Sequence, residues 1–149
     1  MNLTAETQRR REDLRKMFTI ANSVESLNVL TEKIIGCAIE VHKGIGPGLL
    51  ESAYEECLCF ELSQAGLAFE RQVPLPVVYK GVNLDCGYRL DLIVEGEIVL
   101  EIKAVDKIIP IHEAQILSYL RMLNKRIGLI LNFHSNVLKN GIKRIANNL

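Results

Sequence analysis

The sequence has 149 residues, 48% of them hydrophobic, and its 18 basic and 18 acidic side chains cancel to a formal net charge of zero. That length and apolar content suit one domain around a single sizeable core, and the charge balance by itself argues against a strongly nucleic-acid-binding surface. No run reaches the roughly 18 to 20 apolar residues that a membrane-spanning helix needs.

In chain order, residues 1–22 are polar, carry Arg9-Arg10-Arg11 and lack the apolar centre of a signal peptide. They read as a flexible or partly helical N-terminal arm ahead of a domain over 23–149, in a cytoplasmic protein with no membrane contact. From Ser26 to Lys43, Leu27, Leu30, Ile34, Ile35, Ala38, Ile39 and Val41 recur at helical spacing, and Gly44 and Gly46 supply the stop. Pro47 suits the first position of a second helix, GLLESAYEECLCFELSQAG, which ends at a glycine. FERQVPLPVVY is extended, and Pro74 and Pro76 confine it to a sheet edge or an irregular strand because neither can donate to a ladder. Lys80-Gly81 turns the chain into VNLDCGYRLDLIV, and EIVLEIKAV is the third strand. Pro110 opens a helix, IHEAQILSYLRMLN, and RIGLILNF is a short buried strand, so a right-handed crossover should join Ile98 to Ala104 in parallel with Ile127 to Phe133. The tail VLKNGIKRIANNL fits either a strand or a short helix.

Charge and cysteine placement add two expectations. Residues 1–113 hold 12 basic and 18 acidic side chains, whereas residues 114–149 hold Arg121, Lys125, Arg126, Lys139, Lys143 and Arg144 and no acidic one. This fits a local positive field or an ordinary solvated surface. Cys37, Cys57, Cys59 and Cys86 lack metal-ligand spacing and read as reduced, mostly buried thiols.

The hairpin DLIVEGEIVLEIKA sets charges into a segment otherwise made for burial. A two-residue turn at Glu95-Gly96 would mix charge and aliphatic side chains on both faces. A three-residue loop, Glu95-Gly96-Glu97, pairs Val94 with Ile98, Leu92 with Leu100 and Leu90 with Ile102 on one apolar face. The other face then carries Ile93 with Val99, Asp91 with Glu101 and Arg89 with Lys103. Opposed carboxylates repel, so either a divalent cation sits between them or Arg89 and Lys103 neutralise an exposed sheet face.

Asp91, a gap, then Glu101-Ile102-Lys103 resembles the metal-binding signature of the PD-(D/E)XK nuclease superfamily. The predicted order of helix, three-stranded antiparallel meander, crossover helix and parallel strand resembles its restriction-endonuclease-like α/β core, a mixed sheet flanked by helices. Gly48-Leu49-Leu50-Glu51-Ser52-Ala53-Tyr54 reads GxxExxY, the motif of the GxxExxY protein family assigned to that superfamily. Gln115-Ile116-Leu117-Ser118-Tyr119 is similar to the QxxxY element of its exonuclease-type members. The resemblance covers about residues 27 to 145, with Leu90 standing where the superfamily name has proline. By position it implies Asp91 and Glu101 as metal ligands with the Ile102 carbonyl as a third, Lys103 as the catalytic lysine, and Glu51 as an added carboxylate and ligand. Gln115 and Tyr119 would border the site and contact substrate or Lys103. Tyr54 reads as packing, His112 as a surface or capping residue, and His42 as a helix-end cation without chemistry.

The resemblance implies a Mg²⁺- or Mn²⁺-dependent nuclease that hydrolyses phosphodiester bonds of DNA, with RNA as the second choice. One rival keeps the fold without catalysis and binds nucleic acid or a protein partner in a defence or repair assembly. Another is a structural dimer joined through apolar helices. With four tyrosines and no tryptophan there is little sign of base readout, so a homodimer or a protein partner is expected to supply specificity.

Overall fold

The computed structural model describes residues 4–149, and the backbone alone of residues 18–22. Helix α1 (Ala5–Ile45) is capped by Thr4, whose hydroxyl accepts from Thr7 N at 3.2 Å, and it stops at Gly46, where φ is +65°. It passes residue 22 without a break, so the described part of the arm continues the first core helix. The expectation for residues 1–3 and for the side chains of 18–22 lies outside the described residues. Leu27, Ile34, Ala38 and Val41 are buried at spacings of one and two turns, which is the face the helical pattern marked.

Helix α2 (Glu51–Gln64) starts four residues beyond Pro47, correcting the expected start. The intervening loop cannot be helical because Gly48 holds φ at +102°. Its backbone is tied instead to Tyr54, whose hydroxyl donates to Gly46 O at 2.6 Å and accepts from Leu49 N at 3.1 Å. The Tyr54 ring stacks on Phe133 at 4.5 Å between centroids, so this loop is clamped to the chain just after the fourth strand.

The five strands β1 (Phe69–Tyr79), β2 (Val82–Val94), β3 (Ile98–Lys103), β4 (Ile127–Asn132) and β5 (Ile142–Ala146) lie in sequence order in one sheet. Only β3 and β4 are parallel, and α3 (Pro110–Leu123) is the crossover between them. β1 is an edge strand with a register shift between Leu75 and Val77, as its prolines require. The tail forms both expected alternatives in turn, a 3-10 turn at Leu138–Gly141 and then β5.

α1 and α2 cover one face of the sheet, packing with Leu92, Leu100, Ile102, Leu129 and Leu131. α3 covers the other, where Ile116 and Leu120 meet Val99 and Ile130. It sits close because β4 offers Gly128 at the contact: a Cβ there would lie 2.7 Å from Ile116 Cδ1. Three of the six basic residues near the C-terminus are engaged within the fold: Arg126 with Ser23, Arg144 with Asn28, and Lys143 with Glu113. Of the free cysteines Cys37 and Cys59 are buried, whereas Cys86 is exposed. Among the described residues no helix is long and apolar enough to cross a membrane.

Candidate active site

The hairpin between β2 and β3 uses the three-residue loop: Val94 faces Ile98, Ile93 faces Val99 and Leu92 faces Leu100. There the register stops, and the pairs expected beyond it, Asp91 with Glu101, Leu90 with Ile102 and Arg89 with Lys103, are not formed as ladder partners. The Asp91 carboxylate takes the place of a strand, accepting from Ile102 N at 2.8 Å through Oδ2. Leu90 correspondingly packs with Ile93, Val99 and Tyr119 rather than with Leu92 and Ile102. A buried N–H must find an acceptor, and here a side chain supplies one while the two strands part.

The parting leaves Asp91 half-buried beside Glu101, which is 7% exposed. Burial pushes the Glu101 carboxyl up to about 8, the charge of Asp91 adds to this, and Lys103 works against it. Asp91 is raised as well, first by burial, with Glu55 and Glu51 adding to the rise while the Ile102 N–H and Lys103 oppose it. Among the described residues Glu101 Oε1 is the one buried side-chain oxygen or nitrogen without a hydrogen-bond partner. An unpaired carboxylate oxygen in such a place costs free energy unless a proton or a cation joins it.

The other sequence-derived residues arrange themselves around this pair. Lys103 ends β3 with its N–H and C=O row against β4, its carbonyl accepting from Phe133 N at 2.9 Å, and its charge is felt by both carboxyls. Glu51, the first residue of α2, reaches the end of β3 from the opposite layer and accepts from Ala104 N at 3.3 Å. It acts on Asp91 through its charge, and among the described residues no cluster of three or more His, Cys, Asp or Glu side chains suited to a metal forms. Tyr119 approaches from α3: burial raises its hydroxyl pKa first, followed by the charge of Glu101, while an interaction with the Gln115 side chain lowers it. His112 caps α3, its Nδ1 accepting from Ile109 N at 3.1 Å. His42, buried at the end of α1, bonds Ser135 O through Nε2 at 2.7 Å.

Four residues join the site that sequence reasoning did not place there. Glu55, one turn after Glu51 and buried, is the first charge after the Ile102 N–H to act on Asp91. Arg71 bonds Glu55 Oε2 at 2.8 Å and Glu56 Oε1 at 2.6 Å, while Gln72 Nε2 donates to Glu55 Oε1 at 2.7 Å. Gln72 holds φ at +49°, a left-handed conformation strained for this residue, and it lies between the ladder pairs Arg71 with Leu92 and Val73 with Leu90. Its place is therefore across from Asp91 on the side away from Glu101. The fourth, Tyr88, meets Tyr119 edge to face with ring centroids 6.1 Å apart. The i, i+4 spacing of Glu51 and Glu55 was the visible signal for Glu55; its partners on β1 had none.

Asp91 and Glu101 are hard oxygen donors, side by side, with one oxygen unpaired and a cation on the same strand. That set fits a divalent metal such as Mg²⁺, which is usually held by one or two carboxylates and keeps the rest of its shell for water and phosphate oxygen. A sequence-family model described as the PD-(D/E)XK nuclease superfamily matches residues 28–145, and these contain every residue of the site. Searches of curated proteins and of solved structures returned no match.

Proposed function

Because the chain belongs to the PD-(D/E)XK nuclease superfamily, and its mixed sheet flanked by helices is of the restriction-endonuclease-like kind, we propose that it is a Mg²⁺- or Mn²⁺-dependent nuclease that hydrolyses phosphodiester bonds of DNA. The observation that carries this is the buried, unpartnered Glu101 oxygen beside Asp91. Members of the superfamily generally use divalent metals, and here Asp91, Glu101 and the Ile102 carbonyl would hold the ion. Once bound, it would offset phosphate charge and make a water a stronger nucleophile.

This chain's own groups do the remainder. Lys103 orients the attacking water and steadies charge growing on the phosphate, which it can do because it projects from the same strand as Glu101. Glu51 and Glu55 add negative potential that keeps a cation at Asp91, and Arg71 with Gln72 fixes where Glu55 lies. Gln115 and Tyr119 border the substrate side. Residues 23–149 carry the activity, residues 1–22 serve as an arm, and a homodimer or protein partner chooses the target.

Membership of the GxxExxY family is part of the same proposal, and the motif has a physical reading. Gly48 permits the loop's left-handed turn, Tyr54 ties the loop through two hydrogen bonds, and Glu51 opens the helix toward β3. The test is cleavage of labelled DNA of several forms with Mg²⁺, Mn²⁺ or chelator. Metal-dependent cleavage that falls at least about 100-fold in both Asp91→Asn and Lys103→Ala supports the reading. Cleavage undiminished in either variant, or insensitive to chelator, contradicts it.

A further inference from the structure

The β1–β2 hairpin and α3 enclose a groove of about 630 Å³ lined by Val77, Tyr88, Ile111, His112, Gln115, Tyr119 and neighbouring residues. Its chemistry is unlike that of the carboxylate pair next to it. Among the described residues no Lys, Arg, Asp or Glu lines it. Two of the chain's four tyrosines form its corner, Tyr88 edge-on to Tyr119. Ile111 and Met122 expose apolar surface into it, and Tyr88 is 45% exposed. The polar groups are few: the Tyr88 and Tyr119 hydroxyls, the Gln115 amide beside Tyr119, and the His112 ring, whose Nδ1 is taken by Ile109 N so that Nε2 faces no such partner. The Ser118 hydroxyl is spent on Ala114 O at 3.0 Å.

An uncharged, partly aromatic groove with an amide and a ring nitrogen suits a planar, apolar-faced ligand with hydrogen-bonding edges. It does not suit a phosphate. The groove borders the carboxylate site through Tyr119, which lines it and packs in one cluster with Leu90, the neighbour of Asp91, and with Val99 of β3, the strand that carries Glu101. A nucleotide whose phosphodiester lies at Asp91 and Glu101 therefore has this groove within reach of its neighbouring base. A base paired within a duplex has both faces stacked and its pairing edge occupied, so it has nothing to present to Tyr88 or Gln115. An unpaired base presents both.

From this we infer that the groove between Tyr88 and Gln115 captures an unpaired nucleobase, so that the substrate is a single strand or an unpaired end rather than intact duplex. This rests on the nuclease reading above and extends it to the form of the substrate. It also gives the exposed half of the hairpin a purpose: β2 sets Tyr88 against Tyr119 in the groove, and the same strand, three residues later, carries Asp91 of the carboxylate pair.

The experiment is fluorescence anisotropy with a short labelled deoxythymidine oligomer and, separately, a blunt duplex, with Ca²⁺ in place of Mg²⁺. Wild type, Tyr88→Ala and Tyr88→Phe are compared, and each is checked for an unchanged melting temperature. Stacking of one base on an aromatic ring is worth about tenfold in affinity. Wild type should prefer the oligomer over the duplex by about that factor, Tyr88→Ala should erase the preference by weakening oligomer binding alone, and Tyr88→Phe should retain it. Equal binding of oligomer and duplex by the wild type, or an unaltered preference in Tyr88→Ala, would overturn the inference. Mn²⁺ calorimetry on the same preparations separates the two claims. Metal binding without a single-strand preference removes the groove's role and leaves the nuclease reading standing. Loss of both metal and nucleic-acid binding removes both.

Discussion

One strand, β2, has two halves with opposite surroundings. Residues 82–89 are exposed throughout, in a hairpin with β1, whereas Leu90 and Leu92 to Val94 are buried between helices. Asp91 stands at the changeover, where the pairing with β3 ends and its carboxylate takes the Ile102 N–H. The contrast teaches how a small domain can hold two carboxylates close against their repulsion. The buried half fixes the backbone on both sides of the pair, and the exposed half is left free to meet a ligand.

The largest effect should come from cutting into the buried half. Leu90→Ala removes a side chain with no exposed surface and should cost about 2 to 5 kcal/mol in urea denaturation, whereas Leu84→Ala, near the start of β2 on the exposed side of Asp91, should stay within about 0.5 kcal/mol. Similar costs for the two would erase the distinction between the halves. A smaller loss, about 1 to 3 kcal/mol, is expected for Tyr54→Phe, because Gly46 O and Leu49 N lose their shared hydroxyl while the stack on Phe133 remains. Thermal melting reads this, and a neutral result would mean that the loop before α2 is not held by the motif tyrosine.

The charged pair itself should show in the pH dependence of stability without metal. Glu101 has its carboxyl raised in the folded state from 4.5 to about 8, chiefly by burial, so folding favours its protonated form. That contribution is complete below the unfolded value and is lost as pH rises through the folded one. The melting temperature of wild type relative to Glu101→Gln should therefore fall between about pH 5 and pH 8. A constant difference would place Glu101 in a solvated setting. The smallest effect belongs to the outermost feature, the exposed Arg10 and Glu6 pair near the start of α1, where Arg10→Ala should change stability by no more than about 0.5 kcal/mol.

How much of this was legible in the sequence follows from the range of each interaction. β2 and α3 could be bounded from local signals, Lys80-Gly81 before one and Pro110 at the start of the other. The parallel pairing of β3 with β4 followed from the strand, helix, strand order. The start of α2 was read too early because Pro47 is a local helix signal, while the hydrogen bonds that hold the preceding loop come from Tyr54, whose hydroxyl is not expected to serve backbone. The continuity of α1 through residue 22 was hidden by polar composition, which marks exposure and not the absence of a helix.

At the candidate site the proximity of Asp91 and Glu101 followed from hairpin register, but their arrangement did not. Period-two alternation presumes a ladder that continues, and here a side chain replaces the partner strand. Glu55 shows in the sequence only as the residue one turn after Glu51, and Arg71 and Gln72 not at all, because the bonds that set its place join a helix to a strand 16 and 17 residues away. Tyr88 was likewise one more residue of an extended segment until α3 folded back over the sheet to set Tyr119 beside it.

The account's central claim is that Asp91 and Glu101 form a cation site, and it can be tested without knowing the substrate. Calorimetric titration of Mn²⁺ into wild type, Asp91→Asn and Tyr88→Ala compares the two halves of β2 directly. Saturable binding by wild type and Tyr88→Ala, lost in Asp91→Asn, is the predicted result. Absence of binding by wild type up to millimolar metal with a short DNA oligomer present, or binding that survives Asp91→Asn, would contradict it.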